Sequence, residues 1–238
     1  MPRLDVALTK SGLIESRQRA QALILAGKVQ VSGETERRPD RTVRDDEVIT
    51  VDETPGYASR GALKLGPALE RFGVDPNGRV CADIGASTGG FTDVLLRRGA
   101  SKVYAIDVGR GLIHWRLRQD PRVVVIERTN ARELDSFPER VSLIVVDVSF
   151  ISLEKVLPAL RQAGPTAEVV ALFKPQFEVG RTEVGKGGIV RDAGVIGAAA
   201  LKFRAWCDAN GYSVAGEAAS AIAGAEGNRE IFFHLLPR

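Results

Sequence analysis

From residue 80 onward the chain alternates short, uninterrupted apolar runs with helical stretches, a rhythm that restricts it to a parallel α/β sheet. The runs fall at 80–83, 102–107, 123–126, 142–147 and 168–173. Val123–Ile126 and Val169–Phe173 contain no polar residue, as expected of strands covered on both faces. Helices are expected over 60–72, 91–98, 110–118, 151–163 and 194–209, with 211–218 and 230–236 as a closing antiparallel pair. The expected architecture is a doubly wound, Rossmann-like sheet that binds its ligand at the carboxyl ends of the first strands.

The turn after the first of these strands, Asp83-Ile-Gly-Ala-Ser-Thr-Gly-Gly-Phe91, names a ligand class. Glycines between a strand and a helix let backbone N–H groups come close to a bound molecule. Gly85, Ala86, Ser87, Gly89, Gly90 and Phe91 are expected to cradle it. Asp107, with Val108 behind it, ends the next strand about twenty residues on, where a carboxylate meets ribose hydroxyls. Asn130 and Ala131 follow the third strand and are placed for an adenine contact, although an asparagine there can equally bond its own backbone. Nicotinamide dehydrogenases usually carry G-x-G-x-x-G, and this turn does not. Asp83 would repel a pyrophosphate but attract the sulfonium and ammonium of S-adenosylmethionine, unless it caps the turn or helix instead. The expected cofactor is therefore S-adenosylmethionine, and a nicotinamide-dependent oxidoreductase is disfavoured.

The first fifty residues have another character. Leu4–Thr9 and Ser16–Ala26 read as helices, the second N-capped by Ser16, and Val29–Val31 and Val48–Val51 as strands around a Ser32-Gly33 turn. Residues 1–44 hold nine Lys/Arg against five Asp/Glu, before Asp45-Asp46-Glu47 reverses the sign. The ordered pattern Arg3-Leu-Asp5, Leu8, Gly12, Ser16-Arg17, Ala20, Ile24, Gly27-Lys-Val29, Val31-Ser-Gly33 resembles the S4-like RNA-binding domain. That resemblance implies that Arg3, Ser16, Arg17, Arg19 and Lys28 face RNA phosphates. Pro55-Gly56 breaks both helix and strand, which gives an RNA-binding domain over 1–52, a linker over 53–58 and a catalytic domain over 59–238.

Cys81 and Cys207 stand far apart, and His114 and His234 are the only histidines, so neither a disulfide framework nor a zinc site is expected. No apolar run approaches the roughly 18 residues of a membrane span, and Arg3, Asp5 and Lys10 interrupt any leader-like core. A cytoplasmic location without membrane contact follows as an expectation.

Four further residues suggest chemistry. Lys64 lies in the helix before the glycine-turn strand, Asp147 ends the fourth strand in Asp147-Val-Ser-Phe150, Lys174 ends the fifth in Phe173-Lys-Pro-Gln-Phe-Glu178, and Glu230 starts the last. A lysine closing a buried apolar strand is costly unless paired or functional. Together the four resemble the Lys-Asp-Lys-Glu tetrad of FtsJ/RrmJ-like ribose 2′-O-methyltransferases. With the N-terminal module, and with Tyr57-Ala-Ser-Arg-Gly-Ala-Leu-Lys-Leu65 and Gly185-Lys-Gly-Gly-Ile-Val-Arg-Asp192, the chain resembles the TlyA family over residues 3–236. The resemblance implies ribosomal RNA, within ribosomal subunits, as partner and 2′-O-methylation of cytidine as activity, with Lys174 as base or alkoxide stabiliser. Family members are often labelled haemolysins, a label that the expected lack of a membrane segment does not support. The alternative is a non-catalytic rRNA-binding protein on a methyltransferase-like fold.

RNA contacts are also expected from Arg60, from Arg110 in a stretch (97–132) with nine Lys/Arg and three Asp/Glu, and from Arg181 and Lys186 in a glycine-rich loop. Phe150, Phe177 or Trp115 could stack on a base.

Overall fold

A computed structural model describes every residue except 1, 12, 13, 15, 45, 52–55 and 225. Gly12, Asp45 and residues 53–55 of the expected linker therefore lie outside the described residues. The chain divides into two units, Met1–Gly56 and Tyr57–Arg238.

In the smaller unit, α1 (Leu4–Lys10) and α2 (Arg17–Leu25) precede β1 (Val29–Val31), β2 (Glu34–Glu36) and β3 (Ile49–Val51). The strands form an antiparallel sheet in the order β2-β1-β3. Leu4, Leu8, Ile14, Ala20, Ile24, Val29, Val31 and Val43 make its core. β2 was not legible: Glu-Thr-Glu has no apolar face, and its pairing comes from the tight turn that returns it along β1. Asp5 is fully buried in this unit and accepts hydrogen bonds from Arg3, from Arg17 at 2.9 Å and from Gln21 at 2.7 Å. Burial alone would raise its pKa, but the bonds from Gln21, Arg3 and Arg17 outweigh that and hold the carboxyl well below the usual carboxylate range.

The larger unit begins with α3 (Ala62–Phe72), stopped by Gly73 in the left-handed conformation. Then come β4 (Val80–Ile84), α4 (Gly90–Arg97), β5 (Lys102–Ile106), α5 (Trp115–Arg118) and β6 (Val123–Ile126). The second half holds β7 (Leu143–Val146), α6 (Leu157–Ala163), β8 (Glu168–Phe173), α7 (Pro175–Glu178), α8 (Ala193–Ala209), β9 (Tyr212–Ala219) and β10 (Ile231–Pro237). The seven strands run in the order β6-β5-β4-β7-β8-β10-β9. The first five are parallel, and β10 is antiparallel to both β8 and β9.

One face of the sheet is covered by α6 and α8 through Leu157, Leu160, Phe203 and Cys207. The other is covered by α3, α4 and α5 through Leu65, Leu69, Val94, Leu95 and Leu117. Apolar side chains on both faces explain the continuous apolar runs.

Two expected helices are shorter than the pattern implies. Over 110–118 only Trp115–Arg118 is helical, because Gly111 takes a positive φ of 69° and its N–H donates to Glu127 rather than into a helix. Over 151–163 a single 3₁₀ turn at Leu153–Lys155 precedes α6, because Pro158 has no N–H with which to continue a helix from upstream.

Candidate active site

The carboxyl ends of β4, β5, β6 and β7 surround a cavity of about 290 Å³. Strand order reverses between β4 and β7, which leaves a crevice there because the crossovers depart in opposite directions. Of the expected cofactor residues, Gly85, Ser87, Asp107, Val108, Asn130, Ala131 and Asp147 line the cavity. Ile106, Leu112, Thr129, Val148, Ser149, Phe150, Ile151 and Val156 complete it. Two carboxylates and no Lys or Arg are among these residues. Such a lining favours a nucleoside bearing positive charge and offers nothing to a pyrophosphate.

Asp107 also braces the glycine turn. It accepts from Ser87 N at 2.8 Å and from Gly109 N at 2.7 Å. Ser87 is held at a positive φ of 48°, a strained state for a residue with a Cβ. Asn130 lines the cavity, and its Oδ1 accepts from Arg132 N at 3.2 Å, the local backbone bond foreseen as the alternative to a ligand contact.

Asp83, Ala86, Gly89, Gly90 and Phe91 are not among the lining residues. Asp83 is fully buried beneath the turn, where its Oδ2 accepts from Thr92 N at 2.8 Å and from Thr92 Oγ1 at 2.6 Å. It therefore caps the start of α4, and the carboxylates at the cavity are Asp107 and Asp147. Its Oδ1 finds no hydrogen-bond donor among the described residues. Burial pushes the Asp83 pKa up to about 7, with the Asp147 and Asp107 charges adding to the rise and the Thr92 bonds opposing it.

The glycines are needed mainly for contact within the protein. A Cβ on Gly85 (φ 80°) would lie 2.5 Å from the Asp147 carbonyl oxygen, one on Gly89 would strike Leu117, and one on Gly90 would strike Ser59. Ala86 and Phe91 are buried in the core on that face.

The four residues of the expected tetrad come together as two ion pairs at this edge. Lys174 Nζ stands 2.5 Å from Asp147 Oδ1, outside hydrogen-bond direction, and donates to Ser149 Oγ at 2.9 Å. Lys64 Nζ donates to Glu230 Oε2 at 2.6 Å across 166 positions of sequence. The register that sets Ile231 opposite Phe173 puts Glu230 beside the end of β8, where Lys174 emerges. Lys64, Lys174 and Glu230 are all buried. Two buried lysines, one donating to Glu230 and the other in ion-pair contact with Asp147, form a charge array able to stabilise an oxygen that develops negative charge.

Next to it, Phe150 is 89% exposed and strained at a positive φ of 64°, with its ring 5.2 Å from that of Phe177. These two rings, with Arg132, Ile151, Ser152 and Lys155, line a second cavity of about 320 Å³. Ser149, the hydroxyl partner of Lys174, was missed as an individual site residue although it lies within the Asp147–Phe150 motif.

The expected RNA-contacting cations fall into two groups. Arg60, Arg110, Arg181 and Lys186 are exposed. Arg3 and Arg17 engage Asp5 with half of each side chain still exposed, and Ser16 uses its Oγ to accept from Arg19 N as the α2 cap. Arg19 and Lys28 are half-buried. Much of the positive charge over 97–132 is neutralised internally, through Arg116 with Asp93, Arg118 with Glu127 and Arg122 with Asp120. Among the described residues no cluster of three His, Cys, Asp or Glu side chains is arranged to hold a metal ion, and no helix is long and apolar enough to cross a membrane.

A mostly parallel sheet with an acidic cavity at its switch point, flanked by lysine–carboxylate pairs, fits a methyltransferase. The family model for FtsJ-like methyltransferases matches residues 57–236 and that for the S4 domain matches residues 2–49, so the chain belongs to the FtsJ-like methyltransferases that carry an N-terminal S4 domain. More narrowly, it is 48% identical over 98% of its length, and over 89% of the relative, to the 16S/23S rRNA (cytidine-2′-O)-methyltransferase TlyA of Mycobacterium tuberculosis. It is 41% identical to Hemolysin A of Brachyspira hyodysenteriae, covering 98% of this chain and 99% of that one. A solved structure from Streptococcus thermophilus, provisionally named a hemolysin, superimposes with a TM-score of 0.78 at 42% identity, covering 99% of this chain and 88% of the other.

Proposed function

We propose that this protein methylates the ribose 2′-hydroxyl of cytidine in ribosomal RNA with S-adenosylmethionine as donor, acting in the cytoplasm on RNA within ribosomal subunits. The observation that carries the reading is the pair of buried lysine–carboxylate contacts beside a cavity lined by carboxylates and no cation. Identity to a named rRNA (cytidine-2′-O)-methyltransferase over nearly the whole chain supports the choice of substrate.

The donor supplies an electrophilic methyl group on a positively charged sulfur. Asp107 is set to accept from ribose hydroxyls, Asn130 and Ala131 to face the base, and Val108, Leu112 and Ile106 to give apolar contact. Asp147 stands at the positively charged end and orients Lys174. A ribose hydroxyl is a poor nucleophile while it keeps its proton. Lys174 Nζ, fixed by Asp147 and Ser149, takes up that proton as base or, already protonated, stabilises the oxygen while the proton passes to solvent. As the oxygen–methyl bond forms the methyl–sulfur bond breaks, and the donor leaves as a neutral thioether. Lys64 and Glu230 hold the target nucleotide in line, and positioning supplies much of the remaining rate. Phe150 and Phe177 offer ring faces to a base, and Arg60, Arg110, Arg181 and Lys186 offer charge to phosphates. In the smaller unit, Arg3, Arg17, Arg19 and Lys28 offer the same, with Ser16 at the head of α2.

The test gives the purified protein S-adenosylmethionine and ribosomal subunits and maps 2′-O-methyl marks, with calorimetry of donor binding alongside. New ribose methylation that Lys174→Ala abolishes, with donor affinity nearly unchanged, is the expected result. RNA binding without donor heat or any new mark would overturn the reading in favour of a non-catalytic rRNA-binding protein.

A further inference from the structure

Asn228 is 1% exposed, does not line the cavity and belongs to neither lysine pair. Its side chain is nevertheless bonded at both ends. Oδ1 accepts from Val190 N at 2.9 Å, and Nδ2 donates to the Gly188 carbonyl at 2.9 Å. The amide thus bonds the C=O of one residue and the N–H two residues later, as a neighbouring strand would. Gly187 and Gly188, at φ 79° and 74°, turn the backbone so that both groups can face one side chain.

The two segments joined this way lead to the two ion pairs. The loop that reaches Gly188 and Val190 leaves Lys174 through α7, and its other backbone bonds among the described residues, such as Gly185 N to Ile189 O and Glu183 N to Gly180 O, are local turns. On the other side, the Asn228 carbonyl accepts from Gly224 N at 2.9 Å. Gly224 packs so tightly on Glu230 that a Cβ there would lie 2.6 Å from Glu230 Oε1. The path runs from the loop through the Asn228 amide to the backbone that seats Glu230, and so to Lys64.

We infer that Asn228 is a positioning residue, a latch that ties the 185–190 loop, with exposed Lys186, to the turn that seats Glu230. The loop descending from Lys174 and the turn carrying Glu230 then form one frame around the acceptor nucleotide, a role that rests on the function proposed above. Losing the latch frees the loop without touching the donor cavity.

The test uses the full chain and two variants. Asn228→Ala removes both bonds, whereas Asn228→Asp keeps the acceptor for Val190 N and sets a carboxylate against the Gly188 carbonyl. Tryptic cleavage after Lys186, identified by fragment mass, should quicken on the order of tenfold in Asn228→Ala, with Asn228→Asp between it and wild type. KM for ribosomal RNA should rise several-fold while calorimetric donor affinity stays within about twofold. Wild-type cleavage at Lys186 in Asn228→Ala, or donor affinity falling in step with the rise in KM, overturns the latch. Should neither variant fold, hydrogen exchange on the wild type decides: the Val190 amide must exchange far more slowly than that of Lys186, and equal rates refute the inference. A wild type that methylates no RNA would refute the proposed function instead, leaving cleavage and exchange to judge the latch.

Discussion

Asp83→Asn should change how the stability of the larger unit depends on pH. Asp83 is fully buried, with one oxygen bonded twice by Thr92 and the other without a donor. Its pKa rises from an ordinary 3.8 to about 7 in the folded state. Between those values the native protein holds a proton that the unfolded chain has released, so stability falls as pH rises through that window. At about 1.36 kcal/mol per pH unit, the interval from 3.8 to about 7 corresponds to roughly 4 kcal/mol, and the part above pH 5 to roughly 3 kcal/mol. Asparagine keeps the shape and an acceptor for Thr92 N but cannot ionise. Any cost of its unpartnered amide is the same at every pH, so the slope carries the information.

Relative to wild type, the variant should gain roughly 2–3 kcal/mol between pH 5 and pH 8 and no more above it. Urea unfolding followed by tryptophan fluorescence reads the right unit, because Trp115 and Trp206 are the only tryptophans and both lie beyond residue 57. His114 and His234 are present in both proteins, so their contributions cancel in the difference. A difference that stays flat within about 0.5 kcal/mol from pH 5 to 8 would show that Asp83 is ionised throughout, and the burial argument would fail.

Three other outcomes follow from the geometry. Gly85→Ala places a Cβ 2.5 Å from the Asp147 carbonyl oxygen at a φ of 80°, so it should lower the thermal midpoint and weaken donor binding by at least about tenfold in calorimetry. Phe150→Gly relieves a positive φ on an exposed ring and should stabilise the fold by about 1 kcal/mol in urea, while raising KM for RNA. Asp5→Ala leaves Arg3, Arg17 and Gln21 without their shared acceptor and should cost about 2–3 kcal/mol, read as faster hydrogen exchange within Leu4–Leu25 and weaker RNA affinity.

The sheet was legible in the sequence, and with it the places of Asp147 and Lys174 at strand ends, whereas Lys64, in α3, and Glu230, before β10, were joined to them only through the resemblance. A parallel strand buried on both faces is a solid apolar run, and the polar residue that ends it, Asp107, Asp147 or Lys174, must emerge at the carboxyl edge. Depth was not legible. Asp83 reads like Asp107 in one dimension, yet one closes a helix under the turn and the other lines the cavity. Pairing within 97–132 was not legible either, since Arg116 meets Asp93 from outside the stretch while Glu127 and Asp120 meet Arg118 and Arg122 inside it. Asn228 beside Gly227 reads as an ordinary turn residue, and only burial and its bonds to Gly188 and Val190 distinguish it.

The position of β10 has a consequence for biosynthesis. This strand is made after β4 to β9, yet it lies between β8 and β9, and Glu230 immediately before it is the partner of Lys64. A ribosome translating this protein must therefore deliver residues 230–237 before the sheet can zip shut and the 166-residue span between the two partners can close. Until then a nascent chain can assemble the cavity around β4 to β7 while Lys64 still lacks Glu230, so the second lysine–carboxylate pair is completed only once the residues leading into β10 have been made.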